Sequence, residues 1–247
     1  MKKILIVLVS MMVILGSSVV FADDAPFFKA TVGVKAWYNW WTHSVDYSAG
    51  GSDSWDNGSA LMLGPSLNIR LGKVFFGASY LKSMSNYKAP DWFATNDTME
   101  FERKDIDATL GIMFTPYFGA FIGYKNIDAP MKYTNTALGI NGQNYGSWKL
   151  NGPGIGILGN VPLGQSAALY GNLAFLEVSQ EYAYTTGTQS SFDMTGVSME
   201  LGAAFAVAGS LSSNVGLKYQ TFFGDSAAGN THHQTFYGPV FGLNYSF

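Results

Sequence analysis

Seven ionisable side chains, Lys35, Arg70, Asp105, Asp107, Lys125, Glu200 and Lys218, fall at alternate positions of strand-like segments. They share a face with Gly, Ser, Asn and Thr, which makes them the candidate machinery of a polar interior. Charges of both signs held close together can neutralise one another as a rigid lattice, or line a narrow path and bias which ion crosses it. Pairing segments across tight turns sharpens the picture. Setting Phe114 opposite Phe118 around Thr115-Pro116-Tyr117 puts Asp107 opposite Lys125. Setting Val207 opposite Leu211 around Ala208-Gly209-Ser210 puts Glu200 opposite Lys218. Two opposite-charge pairs thus follow from registers chosen on apolar side chains. Lys35 and Arg70 remain as a small positive excess, which in a pore would favour anions.

Other chemistry finds little support. General acid–base catalysis turns first to histidine, and there are only 3: His43, His232 and His233. His43 and Ser44 are adjacent, so on a strand they point to opposite faces and do not form a nucleophile–base couple. His232-His233 has no neighbouring carboxylate in the sequence to complete a metal site. In "DSWDNGSALMLG", Asp53, Asn57 and Gly58 suggest a calcium loop, but Trp55 and Gly64 stand where oxygen ligands should be. The absence of cysteine excludes disulfides and thiolate chemistry. No catalytic residue, cofactor or metal is expected, and the protein is read as a non-enzyme. A net charge of −3 without a basic run excludes nucleic acid as a partner.

The elements that must hold these residues are strands. Residues 30–41 put Ala30, Val32, Val34, Ala36, Tyr38 and Trp40 on one face and Thr31, Gly33, Lys35, Trp37 and Asn39 on the other. The same split recurs at 61–71, 73–82, 105–115, 117–127, 147–160, 167–178, 193–207, 211–223 and 235–247, about ten strands in all. Around Gly152-Pro153 the alternation slips, which predicts a bulge or bend. Tight turns alternate with five longer polar connections, at 42–59, 83–104, 128–146, 179–192 and 224–234. Charged residues are only 13% of the chain and aromatics 15%, too few charges to coat a soluble surface of this size. The small-residue face suits a crowded lumen, with Trp37, Phe75, Phe121 and Phe222 pointing into it, and the apolar face suits lipid. Aromatics gather at its ends: Tyr38, Trp40, Tyr80 and Tyr124 toward the long connections, Phe114, Phe118, Tyr245 and Phe247 toward the turns.

Residues 1–22 have the pattern of a secretory signal peptide: Lys2 and Lys3, an apolar run from Ile4 to Leu15, and Val20-Phe21-Ala22 before Asp23. Its removal would take the net charge from −3 to −5 and leave residues 23–247 as one domain. The last segment, "PVFGLNYSF", alternates Phe241, Leu243, Tyr245 and Phe247 on its apolar face.

With this ending the sequence resembles bacterial outer-membrane β-barrel proteins, whose last strand typically closes on an aromatic with apolar residues at alternate positions before it. The resemblance implies an all-β, transmembrane up-and-down antiparallel barrel with short periplasmic turns and long extracellular loops. It also implies that Phe241, Leu243, Tyr245 and Phe247 serve as a recognition signal for the barrel-assembly machinery. Expected partners are outer-membrane lipid and lipopolysaccharide, with small solutes or ions if the lumen is open. The function expected is a narrow porin-like pore or a structural envelope barrel. The alternative is a surface receptor or adhesin, for which the connection at 83–104 offers Trp92, Phe93, Glu100, Glu102, Arg103 and Lys104. Outer-membrane enzymes are also part of the class. The His-x-Ser pattern of its phospholipases and deacylases is not reproduced, and "GDSAAGNTHHQ" holds no clear counterpart of the aspartate pair and Asp-His couple of its proteases.

Overall fold

The computed structural model describes residues 28–91, 96–187 and 189–247. The expected leader, and Trp92 and Phe93, lie outside the described residues. Alternating sequences with little charge fold as strands that are two-faced along their whole length. These are β1 (Phe28–Asp46), β2 (Ser52–Leu71), β3 (Val74–Ser83), β4 (Tyr87–Pro90), β5 (Asp97–Phe101), β6 (Lys104–Met113), β7 (Phe118–Asn135), β8 (Ile140–Pro162), β9 (Ala167–Tyr184), β10 (Gln189–Ala208), β11 (Leu211–Asp225) and β12 (Thr231–Ser246). β4 carries β3 onward after a short break, and β6 likewise carries on from β5, so the 12 strands form 10 antiparallel staves. β1 pairs with both β2 and β12, and β7 with β8, which closes the sheet on itself and leaves a barrel.

The outward face of the lower staves is exposed and apolar on every side. Val34, Leu71, Leu110, Ile122, Ile155, Phe175, Leu217 and Leu243 all lie outside. An exposed apolar belt running right round a molecule far exceeds the patches water tolerates and matches a hydrocarbon layer. Aromatics frame it. Tyr38, Tyr80, Tyr124, Tyr219 and Tyr237 mark one rim, with Trp40 stacked on Tyr237 at 5.7 Å, and Phe28, Phe114, Phe118, Tyr245 and Phe247 mark the other. We take the staves between these rims, residues 30–40 in β1 and 237–247 at the other end of the chain, as the membrane-spanning part.

Above the upper rim the five long connections depart from the loops the sequence predicts. Most of their length is continued strand: β1 runs to Asp46, β2 begins at Ser52, β9 runs to Tyr184 and β10 begins at Gln189. The wall inverts its polarity here. Ile127, Ala129 and Met131 point inward and are buried, while Asp128, Pro130 and Lys132 between them face out. Outside the bilayer the exterior meets water, so the apolar side chains turn to the interior as in a soluble barrel. The predicted bulge at Gly152-Pro153 is also absent. β8 keeps one register against β7 through Lys125↔Gly152 and Tyr124↔Pro153, and the irregularities of this ladder lie instead near Met131 and Tyr133. Gly152 is a glycine because a Cβ there would sit 2.1 Å from the Glu177 carbonyl oxygen, and although Gly152 and Pro153 interrupt the ladder to β9, the register on either side of them is the same.

Candidate functional site

The lumen is layered. Lowest is a cavity of about 380 Å³ with a mixed wall, in which Thr31, Ser66, Asn68, Asn172, Asn214 and Asn244 stand among apolar side chains and which Lys35, Asp107, Lys125, Glu200 and Lys218 also line. Strand alternation places these small amide and hydroxyl side chains inward, and they bond one another, as in Asn244 to Asn214 at 2.9 Å.

Above it lies a layer of charges. Asp107 on β6 faces Lys125 on β7 in register, and Lys125 Nζ donates to Asp107 Oδ1 at 2.8 Å. Glu200 and Lys218 are also cross-strand partners, but the expected ion pair between them is replaced. Glu200 Oε2 accepts from Lys35 Nζ at 2.7 Å, and Lys218 Nζ donates to Asp107 Oδ2 at 3.3 Å. Side chains facing a narrow lumen can reach across it as easily as to their strand neighbour, so adjacency in the ladder does not choose the partner. β6 and β11 are the fourth and ninth of the ten staves, five apart, so the Lys218–Asp107 bridge joins opposite walls.

Two further residues complete the layer. Arg103 presents Nε and Nη2 to the two carboxylate oxygens of Asp105, each at 2.6 Å, with both side chains essentially inaccessible. Its guanidinium carbon lies 3.9 Å from the ring centre of Phe236. Lys125 reaches Asp105 at 3.5 Å, which links the Arg103 pair to Asp107 and Lys218. The sequence places Arg103 in the long connection at 83–104, whereas in the structure its side chain is fully buried. The signal that places it is the unbroken alternation of Asp97, Met99, Phe101, Arg103 and Asp105 against Thr98, Glu100, Glu102 and Lys104, with the polarity reversed from that of a membrane strand. Arg70 is not brought into this layer: its Nε donates to the Gly72 carbonyl at 2.8 Å, beside the β2–β3 turn.

Over the charges sits a closely packed, mainly aromatic layer. Trp37, Trp41, Met62, Met99, Phe101, Trp148, Phe222 and Phe236 are all buried to 2% exposure or less. Trp41 packs against Phe101 at 4.8 Å, Trp148 at 5.0 Å and Phe236 at 5.4 Å. Trp41 stands on β1 and Trp148 on β8, the first and sixth staves, so this contact also spans the barrel from wall to wall.

At the outer mouth His43 stacks against Trp55 and His232, with ring centres 5.3 and 5.7 Å away. Burial, with His232 and His233 nearby, pulls the His43 pKa down to about 3. Its folded pKa lies below the unfolded value near 6.5, so acid favours the unfolded chain: stability contributed above about pH 6.5 is lost as the pH falls toward 3. The His43 ring proton resonances are accordingly expected not to titrate between pH 5 and 8 in NMR of the folded protein; a midpoint near 6.5 would contradict the burial. His233 approaches Asp46 at 3.4 Å and faces outward. Among the described residues no group of three or more His, Cys, Asp or Glu is placed to hold a metal ion.

No protein-family model and no curated protein matches this sequence. Among solved structures the chain is similar to the outer membrane protease OmpT of Escherichia coli, at 14% identity, over 94% of this chain and 99% of that one, with a TM-score of 0.58. For Neisserial surface protein A the identity is 12%, the coverage 91% and 100%, and the TM-score 0.39. For the toluene transporter TodX of Pseudomonas putida these are 8%, 91% and 91%, and 0.36. At 14% identity the likeness to OmpT speaks to architecture and not to activity. The chain has the fold of the bacterial outer-membrane β-barrels.

Proposed function

We propose that this protein is an occluded barrel of the bacterial outer membrane, a structural envelope element rather than an open porin. The observation that carries this is the contact between Trp41 and Trp148, on opposite walls and 5.0 Å apart, directly above charges that also bridge opposite walls. A hydrated ion passing this level would have to part a closely packed aromatic layer and break paired buried charges, both of which are costly. The apolar belt and its two aromatic rims support insertion in a bilayer, and the export pattern of residues 1–22 supports delivery to the outer membrane. Lipid and lipopolysaccharide are then the partners of the outer surface, and the barrel-assembly machinery is the partner during biogenesis, through Phe241, Leu243, Tyr245 and Phe247. The extended outer wall keeps the receptor reading open as a second role.

The test is single-channel recording from purified, refolded protein in a planar bilayer, with folding checked by the heat-dependent shift in electrophoretic mobility. The expected trace from the wild type is silent. Reproducible conductance steps that respond to substitution of Lys35, Asp107 or Lys125 would overturn the reading in favour of a pore.

A further inference from the structure

We propose that the cavity at the outer mouth of the barrel is a binding site for an uncharged sugar ring. It is about 420 Å³, within the range of roughly 300–1,000 Å³ typical of small-molecule sites. Tyr182 and Tyr184 at the end of β9, Ser190 and Phe192 at the start of β10, His232 on β12 and His43 on β1 form its wall, and the β11–β12 connection closes one side.

Three features define what it would take. The first is its flat faces. Phe192 and His232 lie with ring centres 4.7 Å apart, and His43 stacks behind them on His232 at an interplanar angle of 16°. Tyr182 and Tyr184 are nearly parallel, at 6° and 6.1 Å. Aromatic walls of this kind cover the C–H face of a saturated ring while keeping polar edges available.

The second feature is neutrality. Among the described residues no Lys, Arg, Asp or Glu lines the cavity. Burial keeps both histidines below their ordinary pKa, so at neutral pH they carry no charge. Two of the nearby carboxylates are occupied, Asp46 meeting His233 at 3.4 Å and Asp225 accepting from the Thr231 hydroxyl at 2.6 Å, and Asp53, Glu181 and Asp193 on the same rim are outside the cavity wall. An ionic ligand would enter without a countercharge, at a large desolvation cost.

The third is a polar group awaiting a partner. His232 Nδ1 is buried and makes no hydrogen bond with the described residues, which is unfavourable unless something bonds it. A ligand hydroxyl is both donor and acceptor and suits either tautomer, and the Ser190 hydroxyl offers a second contact. Apolar faces with hydroxyl edges and no charge describe a sugar ring. The site faces the cell exterior, where such rings occur both in lipopolysaccharide oligosaccharide and in free glycans.

The test uses full-length refolded protein in an amine-oxide detergent, since sugar-headed detergents would compete. Methyl glucoside, methyl galactoside and N-acetylglucosamine are titrated by calorimetry and saturation-transfer NMR, beside N-acetylneuraminic acid and indole. Saturable binding of at least one neutral sugar, with no binding of the acid, is expected. Phe192→Ala should weaken it about tenfold by removing a wall. His232→Phe, which keeps a ring but loses Nδ1, should weaken it about fivefold. Both residues stand above the membrane-spanning staves, and the electrophoretic shift confirms that each variant is folded. Competition by lipopolysaccharide-bearing vesicles, but not by vesicles without its oligosaccharide, would assign the sugar to the membrane; its absence would assign it to free glycans. No saturable sugar binding, preference for indole or the acid, or binding unchanged in folded Phe192→Ala would overturn the proposal. Conductance is unaffected by any of these outcomes, so this site and the occluded lumen stand or fall separately.

Discussion

Replacing Asp105 by Ala is expected to destabilise the folded barrel by about 3–5 kcal/mol, the usual cost of leaving a buried charge unpaired. Asp105 is the bidentate acceptor of Arg103 and also approaches Lys125 at 3.5 Å, and all three are withdrawn from solvent. Its removal strands the guanidinium against Trp37 and Phe236, whose rings cannot supply the missing hydrogen bonds. The paired replacement Arg103→Met with Asp105→Leu removes both desolvated charges and leaves Lys125 its 2.8 Å contact with Asp107, so it should recover most of the loss. Urea unfolding followed by tryptophan fluorescence in lipid vesicles measures both. A single variant as stable as the wild type, or a double variant no better than the single one, would show that the charge layer is not coupled in this way. The Lys35–Glu200 bridge predicts a smaller effect for Lys35→Ala, because Lys218 remains close enough to act on Glu200 electrostatically.

Deleting residues 237–247 is expected to abolish insertion of the barrel. This segment supplies the membrane-spanning part of β12, which is bonded to β1 on one side and β11 on the other. Without it, two ladders of backbone N–H and C=O groups would face hydrocarbon unpaired, each group costing several kcal/mol. Phe247→Ala is the milder form. Phe247 packs edge-on against Tyr245 at 4.9 Å and its N–H donates to the Ala30 carbonyl at 2.8 Å. The substitution keeps the backbone bond and loses the aromatic anchor, about 1.5–3 kcal/mol of transfer energy, or roughly tenfold or more in insertion. Outer-membrane levels measured after fractionation, against a deletion within the exposed turn at 47–51, check both. Wild-type levels of the truncated protein would exclude β12 as the closing stave.

The sequence by itself determined the membrane half of this molecule. Within the bilayer each outward position must be apolar and each inward position must fit a narrow lumen, so the period of two is written plainly in segments such as Val197, Met199, Leu201, Ala203 and Phe205, and the number of staves and the registers that place Asp107 beside Lys125 and Glu200 beside Lys218 follow from it. The tertiary structure decided the rest. Beyond the bilayer the same alternation reverses its sense, and a reading tuned to lipid takes the polar outward residues Thr98, Glu100, Glu102 and Lys104 for loop, missing Arg103 between them. Nor does a ladder register specify ionic partners: Lys35 and Glu200 are 165 residues apart in the chain and three staves apart in the wall. They meet because closing the sheet makes the lumen narrow enough for long side chains to cross. Closure likewise sets Trp41 against Trp148, turning two aromatics far apart in the chain into one contact across the barrel.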